Sequence, residues 1–128
     1  MLYHVVERPQ YAVPYVTGPE YQLIDEPNFP EPLEEWQKLG VDYAMHLPDK
    51  SKMKVNPQGE WNNSKIVFDN GHVEHWLNGQ KIVEFEAGQT IGTLRKIAVN
   101  GPTHRNTDWR KKVCFACKTM AIPHLSAT

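Results

Sequence analysis

The chain lacks most of the features that mark specialised protein classes. Its 128 residues contain only two cysteines, Cys114 and Cys117, too few for a disulfide scaffold. No apolar run approaches the roughly 20 residues of a membrane span. The first residues, MLYHVVERPQ, do not follow the basic-then-apolar profile of a signal peptide. A formal net charge of −1, with 14 basic and 15 acidic residues, gives no electrostatic argument for a nucleic-acid partner. We therefore expect no membrane and no nucleic-acid partner, while compartment and oligomeric state stay open.

The length of the chain predicts one domain. In its first half, the prolines predict loops that separate short secondary-structure elements. Branched and aromatic residues predict short strands at three places: 2–7 (LYHVVE), 20–25 (EYQLID) and 41–47 (VDYAMHL). The segment PEPLEEWQKLG predicts one short helix. Pro32 suits a first helical position and Gly40 suits a helix end.

Residues 64–86 carry the clearest pattern in the chain. Asn70-Gly71 and Asn78-Gly79 each tolerate positive φ at both central positions, as a two-residue type I′ hairpin turn requires. The turns predict an antiparallel meander of three strands: 64–69, 72–77 and 80–86. In this register Asp69 faces His72, and Leu77 faces Gln80.

Alternation of side chains divides the meander into two faces. One face predicts a core, made of Ile66, Phe68, Val73, His75, Leu77 and Ile82. The other face is mixed, and it collects Lys65, Val67, Asp69, His72, Glu74, Trp76, Lys81, Val83 and Phe85. Unbroken alternation predicts that Glu74 has Val67 and Val83 as cross-strand neighbours.

The mixed face has two interpretations. A carboxylate, an imidazole and an indole on a half-apolar sheet suit a sugar, whose C–H face stacks on Trp76 while polar groups bind its hydroxyls. The alternative is a solvated face with paired charges and an indole covered by a neighbouring loop. The pattern alone favours the solvated face, and it predicts a hydrogen-bonded core histidine at His75.

Two strings, VTGPEYQLID and GEWNNSKIVFDNGHVEHWLNGQKIVEFE, resemble the 3-keto-disaccharide hydrolase domain family over about residues 1–87. The resemblance implies an all-β fold, a partial concanavalin A-like jelly-roll β-sandwich with one short helix. It implies a carbohydrate partner, a glycoside oxidised at position 3, bound on a concave sheet face. It therefore favours the sugar site over the solvated surface.

The resemblance also gives roles to individual residues. The candidate catalytic residues are His72 and Glu74. The candidate substrate-binding residues are Asp69 and Trp76 on the mixed face, together with Glu20, Gln22 and Asp25, which match family motif positions in EYQLID.

A 3-keto group acidifies the adjacent C–H, so His72 or Glu74 could act as the base that drives elimination of the glycosidic substituent, with hydration completing net hydrolysis. Two carboxylates acting as acid and as nucleophile or base are the alternative. A divalent metal could polarise the keto oxygen, but no metal-ligand spacing supports one, so no cofactor is predicted. A non-catalytic carbohydrate-binding module on the same face is the alternative function.

Residues 88–128 match nothing in the family pattern, so we divide the chain at Ala87. Reading codons in the neighbouring frame after Ala87 permits WTDDWYAQENSGKWADAPEYGLAEKG and, after two apolar positions, CLQDHGYP, which resembles the family's C-terminal block. The tail is therefore expected to be an out-of-frame translation, poorly structured, on a fragment that is inactive by itself. The C-x-x-C of Cys114 and Cys117 could alternatively mark a zinc-dependent or nucleic-acid-associated protein, but such a lone pair is a weak signal.

Overall fold

The computed structural model describes residues 1–87 and the strand at 113–120. The strands are β1 (Trp61–Asp69), β2 (His72–Leu77), β3 (Gln80–Glu86) and β4 (Val113–Met120). They form one antiparallel sheet in the order β3-β2-β1-β4. Within these described residues no helix has both the length and the apolar character needed to cross a bilayer. The predicted all-β class is confirmed.

Both Asn-Gly turns adopt the predicted geometry. Asn70 and Gly71 have φ of 50° and 94°, and Asn78 and Gly79 have φ of 47° and 80°. Positive φ at two successive positions is the signature of the type I′ turn, whose twist matches that of the flanking strands. The register confirms the prediction at both turns, because Asp69 pairs with His72 and Leu77 pairs with Gln80.

The face assignment of β3 is wrong beyond Lys81. Trp76 pairs with Lys81 but His75 pairs with Val83, so one extra residue, Ile82, enters the ladder as a β-bulge. From that point the alternation of β3 is reversed. Ile82 and Val83 are both buried, and Phe85 packs against the core, so Val83 and Phe85 do not lie on the mixed face.

The chain before β1 forms a layer of loops that covers one face of the sheet. The predicted strands 2–7, 20–25 and 41–47 are reduced to single β-bridges: Leu2 with Glu20, Tyr21 with Asp42, and Asp42 with His46. The ten prolines of the chain lie mostly here, and each removes a backbone donor that a longer ladder would need. Segment 41–47 is a turn that closes on itself.

The predicted helix is a single 3-10 turn, Glu35–Gln37. Its start carries a capping box, in which the Glu34 side chain accepts from the Gln37 backbone and the Gln37 side chain accepts from the Glu34 backbone. Two further 3-10 turns, Pro14–Val16 and Glu26–Asn28, begin near prolines. The apolar residues of this stretch are too few to hold an amphipathic helix against the sheet, so one turn is all that forms.

The core lies between the loop layer and the inner face of the sheet, which we define by Ser64, Ile66, Phe68, Val73, His75, Leu77, Ile82, Val83 and Phe85. Tyr21 is fully buried and stacks on His75, with 4.4 Å between ring centroids. The Tyr3 hydroxyl lies 2.9 Å from His75 Nε2. The prediction of a hydrogen-bonded core histidine agrees with these contacts. Fully burying an apolar side chain such as Phe68 or Leu77 stabilises the fold by roughly 1.5–3 kcal/mol.

The strand β4 pairs with β1 along its length, from Met120 opposite Trp61 to Val113 opposite Phe68. The sequence analysis assigned no element here. Residues 88–112 and 121–128, and the side chains of Cys114 and Cys117, lie outside the described part of the chain. The boundary at Ala87, the poorly structured tail and its out-of-frame origin therefore stay predictions.

We predict that His75 makes the fold sensitive to acid. Burial lowers the pKa of His75 to about 3 from its ordinary 6.5. The pKa of His75 is lower in the folded chain than in the unfolded chain. The contribution of the neutral imidazole to the free energy of unfolding is therefore fully present above pH 6.5. It falls by about 1.4 kcal/mol per pH unit as the pH drops toward 3. Urea unfolding of the double variant Tyr3→Phe/His75→Phe should show a shallower loss of stability from about pH 6.5 to pH 4.

The single variant Tyr3→Phe is the matched control, since it removes the same hydroxyl but keeps the buried imidazole. It should retain the acid sensitivity of the unmodified chain. Equal loss of unfolding free energy with falling pH in the control and in the double variant would contradict the prediction.

Candidate functional site

The bulge at Ile82 builds a charged surface on the side of the sheet away from the core. We call this surface the outer face and define it by Lys65, Val67, Asp69, His72, Glu74, Trp76, Lys81, Glu84 and Glu86. With the alternation of β3 reversed, Glu74 pairs with Glu84 and His72 pairs with Glu86. The predicted neighbour of Glu74, Val83, lies in the core instead. The outer face is therefore more acidic than the sequence pattern predicts.

His72 is held by three carboxylates. Its Nδ1 lies 2.6 Å from Glu86 Oε1, and its Nε2 lies 3.1 Å from Glu84 Oε1 and 3.6 Å from Glu74 Oε1. The hydrogen bond to Glu86, followed by the charges of all three carboxylates, raises the pKa of His72 above 6.5. These carboxylates therefore stabilise the protonated form of His72, in which both nitrogens donate.

Glu74 is the most enclosed carboxylate of this group, with 17% of its side chain exposed. Partial burial acts to raise its pKa, but hydrogen bonds from Trp76 and Lys81 outweigh burial and hold the pKa below 4.5. The Trp76 indole Nε1 donates to Glu74 Oε2 at 2.8 Å, and Lys81 Nζ lies 3.2 Å from Oε1. Glu74 is thus an ionised acceptor in a fixed position.

The Trp76 side chain is partly exposed to solvent, as the sugar hypothesis requires, but a lysine lies over its ring. The Lys65 ammonium lies 4.2 Å from the centroid of the indole ring. Such a cation–π contact at an exposed site is worth roughly 0.5–1 kcal/mol, so a ligand could displace it. Asp69 shares the outer face and pairs across the turn with His72.

The predicted site residues fall into two groups on opposite sides of the core. Tyr21 stacks on His75 from the loop layer, and its neighbours Glu20 and Gln22 belong to that layer. Gln22 Nε2 donates to Gln37 O at 3.2 Å. The structure therefore brings Asp69, His72, Glu74 and Trp76 together, but it does not bring Glu20, Gln22 or Asp25 to them.

A cavity of about 650 Å³ lies on the inner side, between the loop layer and the end of the sheet. Leu23, Met53, Val55 and Leu77 give it mostly apolar walls, and Asp25 lies at its edge. The Asp25 carboxylate accepts a hydrogen bond from Asn28 Nδ2 at 2.9 Å. Because the sheet separates the cavity from the outer face, it cannot serve the acid and base candidates there.

Three atoms of His72, Glu74 and Glu84 lie within 4.8 Å of one another, close enough in principle to share a cation. Lys81 already supplies a positive charge to these carboxylates, since its Nζ lies 3.2 Å from Glu74 Oε1 and 2.8 Å from Glu84 Oε1. We therefore treat these groups as proton donors and acceptors and assign no metal to them.

Sequence reasoning missed Glu84 and Glu86, although a signal for them was present. In the string KIVEFE two apolar residues, Ile82 and Val83, stand side by side, and strict alternation resumes after them in the opposite phase. Two adjacent apolar residues inside an alternating strand are what a bulge produces. With a bulge at this position, the alternation puts Glu84 and Glu86 on the same sheet face as Glu74.

The structural comparison finds a β-rich relative. A crystal structure described as that of a "putative glycosyl hydrolase" from Parabacteroides distasonis ATCC 8503 matches with a TM-score of 0.68 and 42% sequence identity. The match covers 91% of this chain and 55% of that chain. The chain thus spans about half the length of the solved protein. No curated protein matches it.

The comparison with family profiles agrees with the structural one. The profile described as the 3-keto-alpha-glucoside-1,2-lyase-like domain matches residues 1–112, which runs past Ala87. The family resemblance read from the two strings and the sandwich-like fold class are confirmed. The chain belongs to the 3-keto-alpha-glucoside-1,2-lyase-like domain family.

Proposed function

We propose that this chain forms part of a domain that cleaves 3-keto-glycosides, with the outer face as its substrate site. The observation that carries the proposal is the arrangement around Glu74. A carboxylate with a lowered pKa, an imidazole with a raised pKa and an indole ring share one partly exposed sheet face. Family membership supports the class of substrate, because the profile is named for 3-keto-glucosides.

The charge states assign the roles. The surrounding carboxylates raise the pKa of His72 and so favour its protonated form, which suits it to act as the acid and leaves Glu74 as the base. Glu74 takes the proton from C2, next to the ketone, and the C–H electron pair forms an enolate whose oxygen accepts a hydrogen bond from His72. The ketone re-forms as C1=C2 forms and the C1–O bond breaks. The departing oxygen takes a proton from His72 or from water.

The alternative is a non-catalytic carbohydrate-binding module on the same face. The ion pairs of Lys81 with Glu74 and Glu84 favour this alternative, because they already satisfy the carboxylates. Under either function the sugar ring stacks on Trp76 after Lys65 moves aside. Only the first function requires proton transfer.

We predict that Glu74→Gln abolishes cleavage while retaining binding. Loss of a general base costs typically 10²–10⁴-fold in rate. The assay is consumption of methyl 3-keto-α-glucopyranoside by a chain that carries the whole domain, followed by chromatography. Glu60→Gln, an exposed carboxylate just before β1, is the matched control and should leave the rate unchanged.

Two results of this assay contradict the catalytic function. If the unmodified domain binds the glycoside without consuming it, the face is a binding module. If Glu74→Gln keeps full turnover, the base lies elsewhere.

We further propose that this chain by itself does not turn the glycoside over. The match covers only 55% of the solved relative, and we infer that the remaining length supplies a second sheet against which a sandwich packs. The same assay, run on the 128-residue chain and on the longer domain, compares the two directly.

We also propose that residues 88–128 are translated out of frame. The expected outcome is that DNA spanning codons 80 to 128 spells LQDHG in the neighbouring frame. The match of the family profile up to residue 112 and the pairing of β4 with β1 give the tail a second interpretation as genuine domain sequence. Nucleotides that cannot spell LQDHG would establish that second interpretation.

A further inference from the structure

The two Asn-Gly turns of the meander share a backbone conformation but differ in how they hold the asparagine side chain. Asn70 and Asn78 have φ of 50° and 47°, and a glycine follows each of them. Asparagine before glycine is chemically labile, because a glycine has no Cβ to shield its nitrogen from the asparagine side chain. Since the dipeptide and the turn are the same, a difference in lability between the two positions must come from their surroundings.

The side-chain amide of Asn78 is fixed at both of its polar atoms. Its Oδ1 accepts a hydrogen bond from Asn63 N at 2.8 Å. Its Nδ2 donates to Lys54 O at 2.7 Å and to Asn62 Oδ1 at 2.8 Å. Asn62 is itself buried, so this network is held in place from below. The Asn78 side chain therefore cannot turn toward its own backbone without breaking three hydrogen bonds.

The side-chain amide of Asn70 has a single protein partner. Its Nδ2 donates to Asp69 Oδ1, on the neighbouring residue, at 3.0 Å, and Asn70 is exposed. Among the residues that the structure describes, none donates a hydrogen bond to Asn70 Oδ1. An exposed hydrogen bond exchanges readily with water, so it restrains the side chain only weakly. Rotation of the Asn70 side chain can therefore bring its Cγ to the nitrogen of Gly71.

We propose that Asn70 is a modification site, at which the chain converts its own side-chain amide into a carboxylate with water as the only co-reactant. The Gly71 nitrogen attacks Cγ of Asn70 and closes a five-membered succinimide ring. The side-chain nitrogen leaves as ammonia, with the proton that the Gly71 nitrogen loses through water. A water molecule then adds its hydroxide to one imide carbonyl and its proton to the ring nitrogen, and the bond between them breaks. Opening at Cγ gives aspartate, and opening at the backbone carbonyl gives isoaspartate.

The exposure of the two glycines acts in the opposite direction. Gly71 is buried, whereas Gly79 is exposed with open space around it. Access of water to the glycine nitrogen alone would therefore favour reaction at Asn78. The side-chain hydrogen bonds outweigh this access, because Cγ must reach the nitrogen before the ring can close. Each bond that Asn78 breaks lowers its reactive population by roughly two- to tenfold, and three bonds act together.

Conversion at position 70 changes the edge of the outer face. Asn70 follows Asp69, which pairs with His72 across the turn. Aspartate at this position adds a further carboxylate beside these two residues and tolerates the positive φ of the turn. Isoaspartate instead adds a backbone carbon to the two-residue turn that sets the pairing of β1 with β2. We therefore expect the hairpin to survive the first product and to lose stability in the second. The proposal does not depend on sugar binding by the outer face.

The test is to incubate the 128-residue chain in mildly alkaline buffer, once folded and once unfolded in urea, and to follow both asparagines by mass spectrometry. Cleavage after Glu74 puts Asn70 and Asn78 in different peptides, and chromatography separates the aspartate and isoaspartate forms. In the folded chain we expect conversion at Asn70 to be at least tenfold faster than at Asn78. In urea the two rates should become similar, because the hydrogen bonds of Asn78 are lost.

The variant Asn62→Ala removes one of the three bonds and should speed conversion at Asn78 several-fold without changing the rate at Asn70. Asn28→Ala, which removes an exposed amide from the loop layer, is the matched control and should change neither rate. If Asn62→Ala does not fold, the comparison of folded with unfolded chain still decides. Conversion at Asn78 that equals or exceeds conversion at Asn70 in the folded chain would overturn the proposal. An equal preference for Asn70 in urea would overturn it as well.

Discussion

The registration of β3 against β2 is the constraint on which the rest of the structure depends. One extra residue at Ile82 changes the partner of His75 from Ile82 to Val83. The change has two consequences at once. It sends Val83 and Phe85 into the core, where Phe85 contacts both His75 and His46. It also sends Glu84 and Glu86 outward, where they raise the pKa of His72.

The two sides of β3 therefore have different roles. Phe85 packs on His46 of the loop layer from one side of β3, and Glu84 and Glu86 add negative charge to the outer face from the other. Their electrostatics differ. The outer face carries four carboxylates beside two lysines and one imidazole, whereas Asp42 and His46 pair one buried carboxylate with one imidazole. A buried carboxylate is costly to desolvate unless another group hydrogen-bonds to it, as His46 Nδ1 does to Asp42 at 2.7 Å.

Much of the sheet could be predicted because its determinants are local. Two Asn-Gly turns fix the hairpins, and their register follows from turn geometry alone. The core list, with His75 in it, follows from alternation. The bulge escaped prediction because alternation was extended through Ile82 and Val83, although their adjacency contradicts it. The segments before β1 were predicted wrongly for a different reason. Their composition is typical of strands, but prolines and turns limit each segment to single bridges. Tertiary packing decides which residues form those bridges.

The site was predicted in part for the same reasons. Asp69, His72, Glu74 and Trp76 share a face because they lie on one hairpin, which local rules describe. Glu20, Gln22 and Asp25 lie in another layer, and no local rule states which side of the core that layer covers. The Asp42–His46 pair depends on a turn that the sequence analysis took for a strand.

The central claim is the register of β3, and cross-strand nuclear Overhauser contacts in the isotopically labelled chain test it most directly. The account predicts that Glu74 contacts Glu84 and that His75 contacts Val83. Contacts of Glu74 with Val83 and of His75 with Ile82 would show an unbroken ladder, and they would contradict both the outer face and the packing of Phe85 on His46.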